Sequence, residues 1–341
     1  MNYIDNIEIK NFKSIRHQKI EGCRRINVFI GYPNVGKSNL IEALSLFCIT
    51  NETRFSDFIR VKEDPTLFFN GFINNTVEVT LNGLFQIFCK YSNGELQVVE
   101  KYLESYSDSK TVFRHPTLRE NFFKNFGYNR SIAPQAAVPG FSIKKYEFKK
   151  NELRNINQYS GLKFPFGENL FDIIQTNEII NDEVSELLKE YGFEFLYESR
   201  LQAYTIFKRT DKGVFTIPYE LLADTLQRVI FYKAAIFSNK ETVLLFEEPE
   251  AHMFPPYISK FTADVMYDKN NNQYFIATHS PFVLNDFMED VDKESLSIYA
   301  VGYSKGETTV SRLTDKQVND VYQYGVDLFF NLEDFLKDVV S

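Results

Sequence analysis

An α/β fold around a largely parallel sheet is predicted by three apolar runs, each ending in residues suited to phosphate chemistry. Ile26-Asn27-Val28-Phe29-Ile30 runs into a glycine-bearing loop, Val243-Leu244-Leu245-Phe246 into two glutamates, and Tyr274-Phe275-Ile276-Ala277 into Thr278-His279-Ser280-Pro281. Short unbroken apolar runs read as strands buried on both faces, and open sheets of such strands bind ligands at their carboxyl ends.

Ahead of the first run, the alternation Ile7-Glu8-Ile9 and the segment around Ile20 predict two further strands. After it, Leu40, Ile41, Leu44 and Phe47 recur at three and four residues, the period of a half-buried helix beginning near Gly36. Between Phe69 and Ser92 the alternation returns at Val77, Val79 and Leu81, with turns at Asn74-Asn75 and Ser92-Asn93-Gly94. An antiparallel sheet flanking the core is expected there. Residues 100–205 are rich in Phe, Tyr, Asn and Lys and show one helical signal, Asp182 to Tyr191, stopped by Gly192. They are expected to form an inserted, mainly helical lobe between two parts of the core, residues 1–99 and 206–341. From Val214 the chain is expected to resume the core with a short strand, a helix over Thr225–Phe237 and the carboxylate strand. A helix over Pro256–Tyr267, the histidine strand and a hairpin from Ser297 to Thr314, turning at Ser304-Lys305-Gly306, complete it.

The 341 residues, 44% hydrophobic and 25% charged, suffice for one large domain with an insertion. No run reaches the roughly 18 apolar residues of a membrane span. Met1-Asn2-Tyr3-Ile4-Asp5 lacks the basic and apolar regions of a signal peptide, so a cytoplasmic protein without membrane attachment is expected. Cys23, Cys48 and Cys89 have neither paired spacing nor a nearby histidine cluster, which points to reduced, packed thiols rather than disulfides or zinc. A formal charge of -8 argues against a DNA-coated surface. The basic pairs Arg24-Arg25, Lys144-Lys145 and Lys149-Lys150 read as solvated faces, and a local nucleic-acid groove stays open.

Gly31-Tyr32-Pro33-Asn34-Val35-Gly36-Lys37-Ser38 fits G-x-x-x-x-G-K-[ST] between a strand and a helix, the phosphate-loop signature of a P-loop NTPase. Its glycines let backbone N–H groups wrap the phosphates of ATP, and the helix N-terminus adds positive potential. Lys37 is placed to reach the β- and γ-phosphates and Ser38 to ligate Mg²⁺. Glu247 and Glu248 are costly neighbours at a buried strand end unless a cation shares the site. Mg²⁺ fills that role, one carboxylate holding the ion or its water while the other polarises the attacking water. On the adjacent strand end, His279 can donate a hydrogen bond to the γ-phosphate and sense its loss.

Taken together, Gly31 to Ser38, Phe246-Glu247-Glu248-Pro249-Glu250-Ala251-His252 and Thr278-His279-Ser280-Pro281 resemble the Walker A, Walker B/D-loop and H-loop of SMC/RecF-like ABC-type ATPases. Among these the chain is most similar to bacterial AAA-type ATPases related to the overcoming-lysogenization-defect proteins. The opening phrase Lys10-Asn11-Phe12-Lys13-Ser14-Ile15 is similar as well, which adds Lys13 and, next to the loop, Asn39 to the nucleotide-binding candidates. The resemblance implies an ABC-type core with a catalytic Glu248, a switch His279, an assisting Lys37, and Ser38 and Glu247 as metal ligands. It also implies ATP-sandwich homodimers in which the Glu250 to His252 stretch crosses to the second subunit. A signature segment should lie at a helix N-terminus before the carboxylate strand. Leu222-Ala223-Asp224-Thr225-Leu226-Gln227-Arg228 fits best, with Ala223, Asp224 and Gln227 facing nucleotide; a plain core helix capped by Asp224 is the alternative.

Two positions depart from the family. Glu247 stands where Asp is usual, one methylene longer, and Thr225 stands where the signature carries the glycine that lets backbone approach phosphate. Gln86 is a candidate Q-loop glutamine by location alone. The expected function is ATP hydrolysis with nucleotide-dependent dimerisation that controls a separate effector protein, in phage defence or DNA maintenance. A nucleotide-gated scaffold with little turnover and a DNA-binding repair-type head are the alternatives. A fused nuclease is not expected, since few residues follow Ser280 and Asp290-Val291-Asp292 lacks a companion glutamate strand.

Overall fold

The chain opens with the antiparallel pair β1 (Asn6–Phe12) and β2 (Ile15–Glu21), then β3 (Ile26–Ile30), the phosphate loop and α1 (Lys37–Ser45). β4 (Val77–Leu81), β5 (Phe85–Ser92), β6 (Glu95–Leu103), β7 (Val112–Arg114) and β8 (Leu118–Glu120) follow. With the opening pair they form a sheet of order β2-β1-β4-β5-β6-β7, β8 pairing with β6. Next come β9 (Ile143–Tyr146), α2 (Leu170–Thr176), α3 (Glu178–Lys189), β10 (Glu194–Glu198), β11 (Ala203–Thr210), β12 (Gly213–Pro218) and α4 (Asp224–Phe237). The last stretch holds β13 (Val243–Glu247), α5 (Pro255–Met266), β14 (Gln273–Ala277), α6 (Pro281–Asp290), β15 (Leu296–Ser304), β16 (Glu307–Arg312), α7 (Asp315–Tyr324) and α8 (Leu332–Leu336). These assignments come from a computed structural model described for residues 3–49, 53–92, 95–103, 112–114, 118–120, 142–150, 153, 161–198 and 203–336. The expected turn at Asn93-Gly94 lies outside the described residues.

Two compact units result: Met1–Lys145 with Thr242–Glu248 and Gln273–Ser341, and Tyr146–Glu241 with Pro249–Asn272. This division differs from the expected lobe over residues 100–205: β6 continues the antiparallel sheet to Leu103, and the second unit runs on past 206.

In the first unit the motif-bearing sheet has the order β16-β15-β3-β14-β13-β9, with β13, β14, β3 and β15 mutually parallel where they pair. Every residue of β3 and β14 is buried, as apolar runs covered on both faces require. Phe29 stacks on Phe275 with ring centroids 6.3 Å apart. Burying such a side chain stabilises by about 1.5–3 kcal/mol. The C-terminal hairpin forms as expected, Lys305 and Gly306 both taking positive φ, but its first strand also joins β3 and so completes the core. α1 is less amphipathic than its spacing suggests. Seven of its nine residues are buried, Glu42 among them.

The second unit packs α3, α4 and α5 around Lys233, whose ammonium donates to Glu183 and Asp264 at 2.8 Å each. α3 starts at Glu178, four residues ahead of the expected Asp182, because Asn177 Oδ1 accepts from the Ile180 N–H at 3.2 Å and caps the helix there. Gly192, at φ +71, stops it as expected. The strand expected to resume the core near Val214 instead belongs to the three-stranded sheet β10-β11-β12 of this unit.

Among the described residues no helix is long and apolar enough to cross a membrane. The three cysteines are free and buried, and burial pushes each thiol up to about 12.

Candidate nucleotide site

Strand register explains why three segments distant in sequence meet. Glu247 pairs with Ala277 and Ala277 with Phe29, so β13, β14 and β3 end at one level. Glu248, His279 and Gly31 therefore leave the sheet side by side.

Lys37 is the first residue of α1 and is 5% exposed. Its ammonium donates to the carbonyls of Gly31 at 2.8 Å and Tyr32 at 2.9 Å, and lies 3.4 Å from His279 Nδ1. On the other side of the ring, Nε2 lies 3.2 Å from Glu248 Oε1. Glu248 holds φ +44 while its N–H donates to Ala277 O at 2.8 Å. That left-handed backbone costs a non-glycine residue about 1–2 kcal/mol, strain of a kind that collects at functional sites. Burial, reinforced by the charge of Lys37, holds the His279 pKa below its ordinary 6.5.

The folded site thus favours the neutral ring. Its contribution to stability is complete above pH 6.5 and is lost as pH falls through the lower folded value. A pH–rate profile of ATP hydrolysis is expected to show an acid limb below 6.5, as a second cation forms beside Lys37. A rate that is flat there would remove His279 from the reacting set.

The loop is braced from outside. Gly36 takes φ +107, and Thr308 of β16 donates from Oγ1 to Val35 O at 2.8 Å and lies 2.6 Å from Ser14 Oγ. Asn39 donates to that same Ser14 hydroxyl at 2.7 Å. Asn34 turns the loop at φ +63 after Pro33, and Tyr32 is 42% exposed.

Behind the loop runs a chain of alternating charge that the sequence reading did not foresee. Glu247 accepts from Arg60 Nη2 at 2.9 Å and from Lys145 Nζ at 3.4 Å. Burial alone would raise its pKa, but Lys145, Arg60 and Ser38 together hold it below the ordinary carboxylate range. Arg60 Nε also donates to Glu42 at 2.6 Å, and Lys13 donates to the other oxygen of Glu42. Burial lowers the Lys13 pKa, opposed by Glu42.

Lys145 is 2% exposed, so the pair Lys144-Lys145 is not the solvated face expected. Glu42→Ala would leave Lys13 buried without its carboxylate. Such a loss costs about 3 kcal/mol, expected as a lower denaturation midpoint at unchanged slope. A shift below 0.5 kcal/mol would show that water replaces the pair freely.

Ser38, in the first turn of α1, and Glu247, the last residue of β13, fit Mg²⁺ as hard oxygen donors. One carboxylate and a hydroxyl suit an ion that completes its shell with phosphate and water. No cluster of three or more His, Cys, Asp or Glu able to cage a metal occurs among the described residues.

The signature-like segment lies in the second unit. Ala223 is the N-cap of α4, and Asp224 is not the cap but pairs with Arg228 at 2.7 Å and Lys150 at 3.1 Å. Gln227 is 3% exposed and donates to Leu222 O at 2.7 Å and Glu220 O at 3.2 Å. Thr225 Oγ1 donates to His252 O at 3.2 Å. Gln86 lies on β5, paired with Thr80 and Lys101, in the antiparallel sheet rather than the motif sheet.

The sequence matches the AAA ATPase domain family over residues 2–224. An ATP/GTP phosphatase of Helicobacter pylori is 23% identical over 334 residues, covering 85% of this chain and 88% of its own. An uncharacterized protein of Methanocaldococcus jannaschii is 36% identical across 59% of this chain and 92% of its own length. The Septu protein PtuA of Bacillus mycoides is 22% identical across 99% of this chain, which spans 46% of that protein. Among solved structures, an Smc head bound to the C-winged helix domain of ScpA matches 92% of this chain and 98% of its own, at TM-score 0.53 and 17% identity. An Smc head with an extended coiled coil, bound to the C-terminal domain of ScpA from Pyrococcus furiosus, matches 94% and 99%, at TM-score 0.53 and 14% identity. With the phosphate loop inside the matched span and an Smc-head fold around it, the chain belongs to the AAA ATPase domain family.

Proposed function

We propose that this chain hydrolyses ATP, and that pairing of two ATP-bound copies is a switch controlling a separate effector protein. The observation that carries the reading is the continuous contact from Lys37 through His279 to Glu248 at one end of a parallel sheet. On ATP binding, Lys37 exchanges the carbonyls of Gly31 and Tyr32 for phosphate oxygens. Glu248 accepts the proton of the attacking water, a role worth about 10²–10⁴-fold in rate. Neutral His279 donates to a γ-phosphate oxygen and loses that partner when phosphate departs. Ser38 and Glu247 would hold Mg²⁺, which when bound would supply neutralisation of the phosphate charge.

One likeness supports control of a partner: an Smc head is solved bound to a domain of ScpA. Phage defence and DNA maintenance are the settings the motif resemblance implies. A second reading, a nucleotide-gated scaffold with little turnover, draws on Thr225 and Gln227, whose side chains are engaged by their own unit.

Steady-state hydrolysis measured together with sedimentation, in ATP–Mg²⁺ and in ADP–Mg²⁺, separates the two. Turnover with a dimer in ATP alone supports the switch. ATP binding with neither turnover nor assembly overturns it in favour of the scaffold.

A further inference from the structure

On the first unit, α6 continues directly from the histidine loop, beginning at Pro281, two residues after His279. Between α6, α7 and the segment after α7 lies a groove of about 360 Å³. Its floor is apolar, from Leu284, Val321 and Leu328, each at most 3% exposed, and Met288 and Phe329 form its walls. Large apolar side chains stand exposed on the same elements and the segment beyond them: Phe282 at 50%, Tyr322 at 49%, Tyr324 at 77% and Phe330 at 86%. Exposed apolar groups gathered around a groove mark a binding surface more often than a solvated one.

Charge decides what fits. Residues 281–292 and 315–336 carry nine Asp and Glu against a single Lys, Lys316 in the first turn of α7. Two of these carboxylates, Glu289 and Asp327, line the groove itself. A phosphate backbone or an anionic lipid surface would be repelled there, and a like-charged copy of the same face would be opposed as well. A groove between two helices takes a third helix through apolar side chains at i, i+3 or i+4, and i+7.

We propose that the α6–α7 groove docks a basic amphipathic helix of a separate protein, apolar side chains entering between Leu284 and Leu328 and Lys or Arg meeting the acidic rim. The proposal names the chemistry of the effector in the switch above, and in that sense rests on it. The docking itself requires no turnover. Its position on the helix launched from His279 gives a bound partner a short connection to the nucleotide loop.

The test uses the full chain without nucleotide and a fluorescein-labelled 18-residue Leu/Lys/Arg helical peptide, with a Leu/Glu peptide of the same pattern as its opposite. Anisotropy is expected to show binding of the basic peptide only, weakened by salt. Met288→Lys with Glu289→Lys is expected to weaken it at least 10-fold. Glu178→Lys with Ile179→Lys, the same charge change on exposed positions of α3 in the other unit, is expected to leave it within twofold. ATP binding by each variant, followed in parallel, checks that the fold persists.

Equal loss in both double variants would reduce the effect to net charge and overturn the proposal, as would no loss at Met288 and Glu289. Self-association that disappears in the Met288 and Glu289 variant would also overturn it, by making the groove an interface between copies. Failure of hydrolysis with peptide binding intact would count against the ATPase reading alone.

Discussion

Glu248→Gln is expected to bind ATP normally, turn it over at least about 100-fold more slowly, and accumulate as the ATP-bound dimer. The change keeps size and the possibility of contact with His279 Nε2, now 3.2 Å from Oε1, while removing the ability to take a proton from water. The side chain is 47% exposed, so its replacement leaves the fold within about 0.5 kcal/mol. The effect should therefore fall on kcat, with little change in the ATP concentration for half-saturation. Residual turnover within threefold of wild type would place the base elsewhere. A variant that is inactive and also fails to bind ATP would show that Glu248 supports the site rather than reacting in it.

Much of this site could be read from the sequence because its parts lie at the ends of buried strands. An apolar run such as Tyr274–Ala277 announces both its burial and the level at which the next residue emerges, and the residues after it name the chemistry. What could not be read depends on contacts between segments far apart. Arg60 lies on a loop with no periodicity, yet it joins Glu42 of α1 to Glu247 of β13. Lys145 looked like half of an ordinary basic pair, and only its place on β9, the strand next to β13 at the sheet edge, turns its ammonium towards Glu247.

These contacts also bear on the unusual glutamate. Its carboxylate is shared between Arg60 and Lys145, and the longer arm gives it reach to both. The misplaced start of α3 has a local cause: Asn177 is a cap, and the apolar spacing seen from Asp182 onward hid the first turn. β12 misled because a short run of β-prone residues signals a strand without saying which sheet receives it. It pairs with β11 in the second unit, where most of its residues remain exposed.

Gly36→Ala is expected to reduce ATP affinity at least about 100-fold, or roughly 2.7 kcal/mol. Two costs combine. At φ +107 any side chain strains the backbone, by about 1–2 kcal/mol. A Cβ there would also stand 2.1 Å from Thr308 Oγ1 and 2.9 Å from Ser14 Oγ, and neither can retreat easily. Thr308 is fully buried and holds Val35 O at 2.8 Å, while Ser14 is tied to Asn39 at 2.7 Å. The loop would have to lift, carrying with it the N–H groups proposed to wrap phosphate. Gly306→Ala isolates the first cost, since Gly306 also has positive φ, +84, but a Cβ on it meets nothing within 4 Å. It should lower stability by about 1 kcal/mol and leave ATP binding unchanged. Equal loss of ATP affinity in both variants would mean that the strain of the backbone, and not the brace formed by Thr308 and Ser14, governs the loop.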